Sequence, residues 1–328
     1  MRPLLLLEKH TLLNNFVRQD HMIDHRLQML RMISHHGTVT AAAQALNYTP
    51  STVSQQIKQL SRELDVTLLS RHGRQVRLTA AARTLLTHAD ILFAQWERAR
   101  AELDAHVEEV SGTLALAGFS TAAGALLPAT MTSLTERFPH LRTQAIEAEP
   151  TECYDLVLSG TADLAVVVVT PTTPSTSDPR FEQRHLIDDP LDLLVPLDHP
   201  LARLPEVPLT AAASEPWIVA RSGTTYHQLV MTACASAGFT PQIAHYSNEW
   251  ETGTALVSQG FGVCLVSRLA RWSHHHPVVR IPLCGDPAPT RTVLAVTNAG
   301  AASRRPLSHA LETLADNADT LITSTGGN

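Results

Sequence analysis

Residues 38–58 read TVTAAAQALNYTPSTVSQQIK, and this stretch decides the fold of the N-terminal part. Thr49 suits an N-cap, because its hydroxyl accepts from an orphan backbone N–H, and Pro50 suits the first helical position, where its missing N–H costs nothing. A helix is therefore expected from Pro50, with Val53, Ile57, Leu60 and Leu64 as its buried stripe. Ser51, Thr52, Gln55, Lys58, Gln59 and Arg62 fall on the other face, which carries no acid. Ahead of it, residues 41–46 behind Thr40 as cap are nearly all alanine, and small side chains let two helix backbones approach closely. Two short helices at a tight turn, the second showing small polar groups outward, make a helix-turn-helix.

The charge distribution supports a polyanion partner for this part. The 328 residues carry a formal net charge of −6, but between positions 22 and 83 eight Lys and Arg outweigh three acids. That segment stands at +5, residues 1–21 at +1, and the remainder at −12. A basic segment on an acidic body suggests an anionic partner held at one end. The length implies two or three domains. Cys153, Cys234, Cys264 and Cys284 are far apart with no C-x-x-C, so reduced thiols are expected. No stretch reaches about 18 apolar residues without a charge, and the four leucines of MRPLLLL are too few for a signal segment. A soluble, cytoplasmic protein without membrane contact is expected. Met22 begins MIDHRLQMLRMISHHG, a natural start for a first helix, which leaves residues 1–21 as an extension outside the fold.

Outward from the opening stretch, Asp24 can cap a helix that Gly37 ends. Residues 67–71 and 75–78 are strand-like runs joined by His72-Gly73-Arg74, a small hairpin or wing carrying Arg71, Arg74 and Arg77. From Thr79 to about Val110 a continuous helix is expected. Its Leu85, Ala89, Leu92, Trp96, Ala99, Leu103, His106 and Val110 are spaced 4,3,4,3,4,3,4. That is a heptad seam, to be buried against a second copy, with packing on the chain's own body as the alternative. After Ser111-Gly112 the chain alternates. Strands are expected at 114–119, 141–147, 164–169, 191–195, 217–220, 243–246, 263–266, 278–281 and 293–297. Helices are expected at 125–137, 152–159, 226–237, 251–259 and 307–323. Strands interleaved with helices argue for parallel α/β sheets. Residues 170–179, rich in Pro and Thr, read as an exposed loop.

With those residues in hand, the chain from Met22 resembles the LysR-type transcriptional regulators. The motifs are TVTAAAQALNYTPSTVSQQIKQLSRELDV and LLSRHGRQVRLTAAA, then GTLALAGFSTAAGALLP, RFPHL, LVLSGTADLAVV, DDPLDLLVPLDHPLA, PWIV and ALVSQGFGVCLVS. The fold implied is α/β overall: an N-terminal winged helix-turn-helix (22–79), a long linker helix (80–110) and a C-terminal two-lobed, periplasmic-binding-protein-like α/β domain (111–328). Lobe I would take about 111–189 and 262–328, and lobe II about 190–261. The implied partners are double-stranded DNA, a second copy of the chain in a dimer and then a dimer of dimers, a small-molecule effector, and RNA polymerase. No cofactor and no metal are implied. Three positions depart from the family pattern: Ala82 and Asp65 stand where glycine is usual, and Pro50 where glutamine is common.

For DNA, base edges are assigned to Ser51, Thr52 and Gln55 behind the Thr49 cap, and phosphates to Thr40, Lys58, Arg62, Arg71 and Arg74. An inserted helix presents its N-terminal outer face to bases while longer basic side chains reach the backbone. For the effector, Ser120 and Thr121 follow one strand, and Ser222, Gly223, Thr224 and Thr225 follow another. Hydroxyls and free N–H groups at helix N-termini suit carboxylates and other anions, with simple capping as the competing reading. In the family pattern Thr170, His199 and Asn248 join them at the cleft. The rival class is an α/β-hydrolase-like enzyme with Ser120 as nucleophile and Asp163 and His199 in support. It lacks the second glycine of G-x-S-x-G and leaves the basic half unexplained. The His274-His275-His276 run reads as a solvated turn rather than a metal site.

Overall fold

The computed structural model describes residues 22–72, 75–273, 275–285 and 288–325. The extension at 1–21, Arg74 and His274 lie outside these residues.

The head is built from α1 (His25–His36), α2 (Val39–Ala45), α3 (Pro50–Glu63) and a hairpin of β1 (Leu69–His72) and β2 (Gln75–Leu78). Asp24 caps α1 by accepting from the Arg26 N–H, and Gly37 ends it in the left-handed conformation. The cap of α2 is Thr38, which accepts from the Ala41 N–H, not Thr40. An N-cap must precede the helix in extended backbone, and the helix begins two residues earlier than expected. Ala42 and Ala43 are fully buried, so α1 and α3 both close on the alanine face. Val53, Ile57 and Leu60 of α3 are buried as expected, but Leu64 is 46% exposed because the helix has ended before it.

The linker helix α4 (Ala80–Asp104) is capped by Thr79 and is shorter than expected, since the chain leaves helical geometry after Asp104 rather than near Val110. Its seam is divided. Of its positions Ala89 is buried, whereas Leu92 and Leu103 are 53% and 58% exposed; off the seam, Ala82 and Leu86 are buried in the core that holds the head, and Ile91 is 59% exposed. The body begins with β3 (Gly112–Gly118), α5 (Ser120–Ala125), α6 (Leu127–Arg137), β4 (Leu141–Glu147), α7 (Pro150–Ser159) and β5 (Leu164–Val168). Strand β6 (Phe181–Pro196) follows, then β7 (Val207–Pro208), β8 (Pro216–Val219), α8 (Thr225–Ser236), β9 (Gln242–Tyr246) and α9 (Trp250–Ser258). The chain closes with β10 (Cys264–Ser267), β11 (Val278–Cys284), β12 (Thr290–Asn298) and α10 (Arg305–Thr325).

One sheet orders its strands β4-β3-β5-β12-β6-β11-β7, with β10 also on β6, and β8 pairs β9 separately. It is mixed, not parallel throughout: β3 pairs β4 and β5 in parallel, but β12 is antiparallel to both β5 and β6, and β10 and β11 are antiparallel to β6. Strand β6 is the shared element. Residues 181–190 pair with β12, and residues 191–196 with β10 and β11. The two halves feed separate cores, one around Leu114, Leu116, Leu186 and Val293, the other around Leu193, Trp217, Val219 and Ile281. Pairing on the second half of β6 therefore puts β10 and β11 in lobe II. The chain returns to lobe I at β12, not after Gly262. Gly262 has φ +150°, and a Cβ there would meet the Pro216 carbonyl oxygen at 2.4 Å, so only glycine lets β8 and β10 approach.

Head and body touch. His35 and His36 place Nε2 3.1 Å from Asp155 Oδ1 on α7, and the Gln28 amide donates to the Leu158 carbonyl. Arg304 reaches Asp163 at 3.1 Å and Asp104 of the linker helix at 3.4 Å. Gly300, at φ +85°, lies where a Cβ would meet the Ala94 carbonyl of α4 at 2.4 Å. No helix among the described residues is long and apolar enough to cross a membrane.

Candidate nucleic-acid interface and interlobe site

At the start of α3, Thr49 accepts from the Thr52 N–H at 3.1 Å, and its hydroxyl also shares hydrogen bonds of 2.8 Å with Ser51 and Thr52. The three hydroxyls thus form one cluster over the helix N-terminus. Ser51, Gln55, Lys58 and Arg62 are exposed and Thr52 is half-buried. The acid at the far end of the helix is drawn aside: Glu63 accepts from Arg26 at 2.6 Å and from Gln59 at 3.0 Å. The Arg26 guanidinium holds the Glu63 carboxyl below its ordinary range, so it stays ionised and neutralises Arg26 rather than facing outward alone. Asn47 at φ +57° and Asp65 at φ +51° make the turns before and after α3. Asx side chains tolerate that left-handed conformation, which explains why the position of Asp65 suits glycine. Thr40 is exposed on α2, and Arg71 lies on β1 opposite Val76.

Between the lobes lies a cavity of about 190 Å³. Of the residues expected there, Ser120, Thr121, Thr224, Thr225 and Asn248 line it. Thr224 caps α8, accepting from the His227 N–H, while Asn248 Oδ1 accepts from the Arg221 N–H. The other four lie elsewhere. Ser222 and Gly223 are exposed in the turn ahead of α8 and are not among its lining residues. His199 caps the short 3-10 turn Pro200–Arg203 and sits 3.5 Å from Glu215, and Thr170 bonds Thr172 within its own loop. His199 thus serves as a local cap and Thr170 as a local turn contact.

Arg291 on β12 also lines the cavity. It is 5% exposed and its Nε donates to Asp189, itself fully buried, at 2.8 Å. Its Nη2 donates to Thr121 at 2.8 Å and Ser267 at 2.6 Å, and the guanidinium lies 4.9 Å from the Phe119 ring. Asp189 also accepts from the Arg268 N–H at 3.0 Å. This knot joins β6, α5, β10 and β12 where the lobes meet. The only sign of Arg291 in the sequence is a cation entering an otherwise apolar run, TRTVLAV. Tyr226 lies in the first turn of α8. It donates to the Leu265 carbonyl and packs edge-on against Trp250 at 4.8 Å, forming an apolar wall.

Ser120 is exposed, and no hydrogen bond among the described residues joins it to His199 or Asp163; Asp163 accepts from the Ala115 N–H and from Arg304 instead. A nucleophile needs its base within hydrogen-bond reach, so this geometry does not build one. His276 pairs with Glu251 at 2.8 Å, and no metal-binding cluster of His, Cys, Asp or Glu occurs among the described residues. Cys153, Cys234 and Cys264 are buried, and burial pushes each thiol up to about 12.

Comparison with known proteins accords with this architecture. Residues 25–83 match the model of the bacterial regulatory helix-turn-helix protein, lysR family, and residues 108–319 match the LysR substrate binding domain. The transcriptional dual regulator GltC of Bacillus subtilis is 29% identical over 66% of this chain and 71% of its own length. The hydrogen peroxide-inducible genes activator of Pectobacterium carotovorum is 27% identical over 88% of this chain and 93% of its own. Among solved structures, a full-length OxyR variant from Pseudomonas aeruginosa has a TM-score of 0.59 at 23% identity, covering 89% of this chain and 93% of that one. HinK, also from Pseudomonas aeruginosa, has a TM-score of 0.55 at 22% identity, covering 89% and 97%. With both its winged head and its two-lobed body matched, the chain belongs to the LysR family of transcriptional regulators, which are not enzymes.

Proposed function

We propose that this regulator reads DNA with the outer face of α3 and answers to a small molecule bound between its lobes. The observation that carries the reading is the acid-free, exposed N-terminal face of α3 on a head whose linker leads to a cavity at the junction of two lobes. Ser51, Thr52 and Gln55 meet base edges, and Thr40, Lys58 and Arg62 meet phosphates together with Arg71 and Arg74 of the wing. The protein acts as a dimer through α4, two dimers associate on one operator, and RNA polymerase is contacted there, in the cytoplasm. The effector shifts the lobes about β6 and so changes how the paired heads are spaced.

The test is fluorescence anisotropy on an operator selected from a randomised library and on unrelated DNA. Gln55→Ala is expected to cost about 1–3 kcal/mol on the operator and little on unrelated DNA. Lys58→Ala is expected to weaken both alike and to flatten the salt dependence. Equal losses on the two DNAs for Gln55→Ala would remove α3 from base reading.

A further inference from the structure

The charges around the interlobe cavity differ with depth. At its buried end, Arg291 uses Nε for Asp189 and Nη2 for Thr121 and Ser267, while its Nη1 meets no acceptor among the described residues. Toward solvent, Glu147 at the end of β4 and Glu149 on the connection to α7 are exposed, and Glu249 lies across the gap ahead of α9. The N-terminus of α8, the seat expected for an anion, is already taken: Glu149 Oε2 accepts from the Thr225 N–H at 3.3 Å. A carboxylate arriving there would have to displace one that the opposite lobe supplies.

These features oppose ligands of a single charge. A simple anion meets three carboxylates, and Arg291, the one cation lining the cavity among the described residues, is already paired with fully buried Asp189. A simple cation brings no acceptor to the Arg291 guanidinium and is repelled by its charge at the deep end of the cavity. A molecule carrying both signs satisfies each end. The volume of about 190 Å³ lies below the roughly 300–1,000 Å³ of pockets for drug-sized ligands, and Trp250 and Ile218 offer an apolar wall for a short side chain.

Building on the reading of this cavity as the effector site, we infer that the effector is a small zwitterion of amino-acid size. Its carboxylate is received by Arg291 and the Ser120 hydroxyl, and its ammonium by Glu147 and Glu149. The test is thermal denaturation and calorimetric titration of the full chain with each free proteinogenic amino acid. Every binder is then compared with its two single-charge relatives, the carboxylic acid lacking the amino group and the amine lacking the carboxyl group. At least one amino acid is expected to raise Tm, with each single-charge relative binding at least about tenfold more weakly, as loss of a charged hydrogen bond implies. The double variant E147Q/E149Q, which keeps an acceptor for Thr225, is expected to lose the preference for the amino acid over its deaminated acid.

Gly253 of α9 lines the cavity, and a Cβ there meets nothing closer than Ser247 Oγ at 3.8 Å, so Gly253→Leu fills the space from a tolerant backbone position and is expected to abolish binding. No response to any amino acid, or equal binding of a deaminated acid, overturns the zwitterion. If that acid's binding is still blocked by Gly253→Leu, the cavity stands as the effector site and only the ligand class falls. Binding that survives Gly253→Leu removes the cavity itself, and the inference with it.

Discussion

At the scale of single residues, the strongest constraint is the buried pair Asp189 and Arg291, 0% and 5% exposed. Removing one member of such a pair leaves the other charge without compensation, so Asp189→Ala is expected to destabilise the body by about 3–5 kcal/mol, measured by urea denaturation. A double replacement by apolar residues is expected to recover much of that loss, because the desolvation cost disappears with the charges. Asp65 makes a smaller and opposite case. Its φ of +51° costs a side chain that glycine lacks, and Asp65→Gly is expected to stabilise the head by about 0.5–1 kcal/mol. No gain in that variant would show that the Asp65 side chain compensates its own backbone. Cysteine chemistry is constrained at this scale too. Burial holds the Cys153, Cys234 and Cys264 thiols near 12, which keeps them as thiols rather than reactive thiolates at neutral pH.

Among elements, α1 and α3 are joined through Arg26, which bonds Asp24 and Glu63. Hydrogen bonding to that guanidinium lowers both carboxyls from their ordinary values of 3.8 and 4.5. For an acid with a depressed folded pKa, the unfolded chain binds the proton first, so the contribution is complete above the ordinary value and is lost as pH falls through the depressed one. Head stability in urea is therefore expected to hold from neutral pH to about pH 5 and to decline below it. Arg26→Met should be less stable at neutral pH and show a shallower decline. Glu63 is fully exposed to solvent screening, so salt is expected to reduce the effect. An acid limb of unchanged slope in Arg26→Met would assign the decline to other carboxylates.

For the whole molecule, the division of the linker seam matters most. Ala89 is used within the chain, but Leu92 and Leu103 are more than half exposed, and exposed leucines at heptad positions call for a partner helix. Leu92→Glu combined with Leu103→Glu is expected to convert a dimer to a monomer in sedimentation, with intact helical circular dichroism and much weaker operator binding. A dimer that persists would place the interface on another surface. Contacts of His35 and His36 with Asp155 dock the head on the body within one chain and leave Leu92 and Leu103 uncovered.

Much of this was legible in the residues. Thr49-Pro50 marked the start of α3, Asp24 and Gly37 bounded α1, and alternating apolar runs located β3, β4 and β5 almost to the residue, because caps and periodicity are local physics. Other features were hidden. Residues 181–190, FEQRHLIDDP, are too polar to read as strand, yet they form half of β6, since pairing with β12 supplies what propensity does not. Placement of β10 and β11 in lobe II depended on the same strand.

The cavity divided in the same way. Ser120, Thr121, Thr224, Thr225 and Asn248 stand at strand ends or helix caps that a sequence marks, whereas Arg291 comes to one cavity with Glu147 and Glu149, far from it in the chain, only in the folded body. What the sequence by itself determined was the winged head, the linker and the alternation of the body, all set by hydrogen bonding and hydrophobic period within a few residues. Which way each strand runs, where the lobes part along β6, and which charges share the cavity were decided only by tertiary packing, because charge pairing and burial act between residues as distant as Thr121 and Arg291.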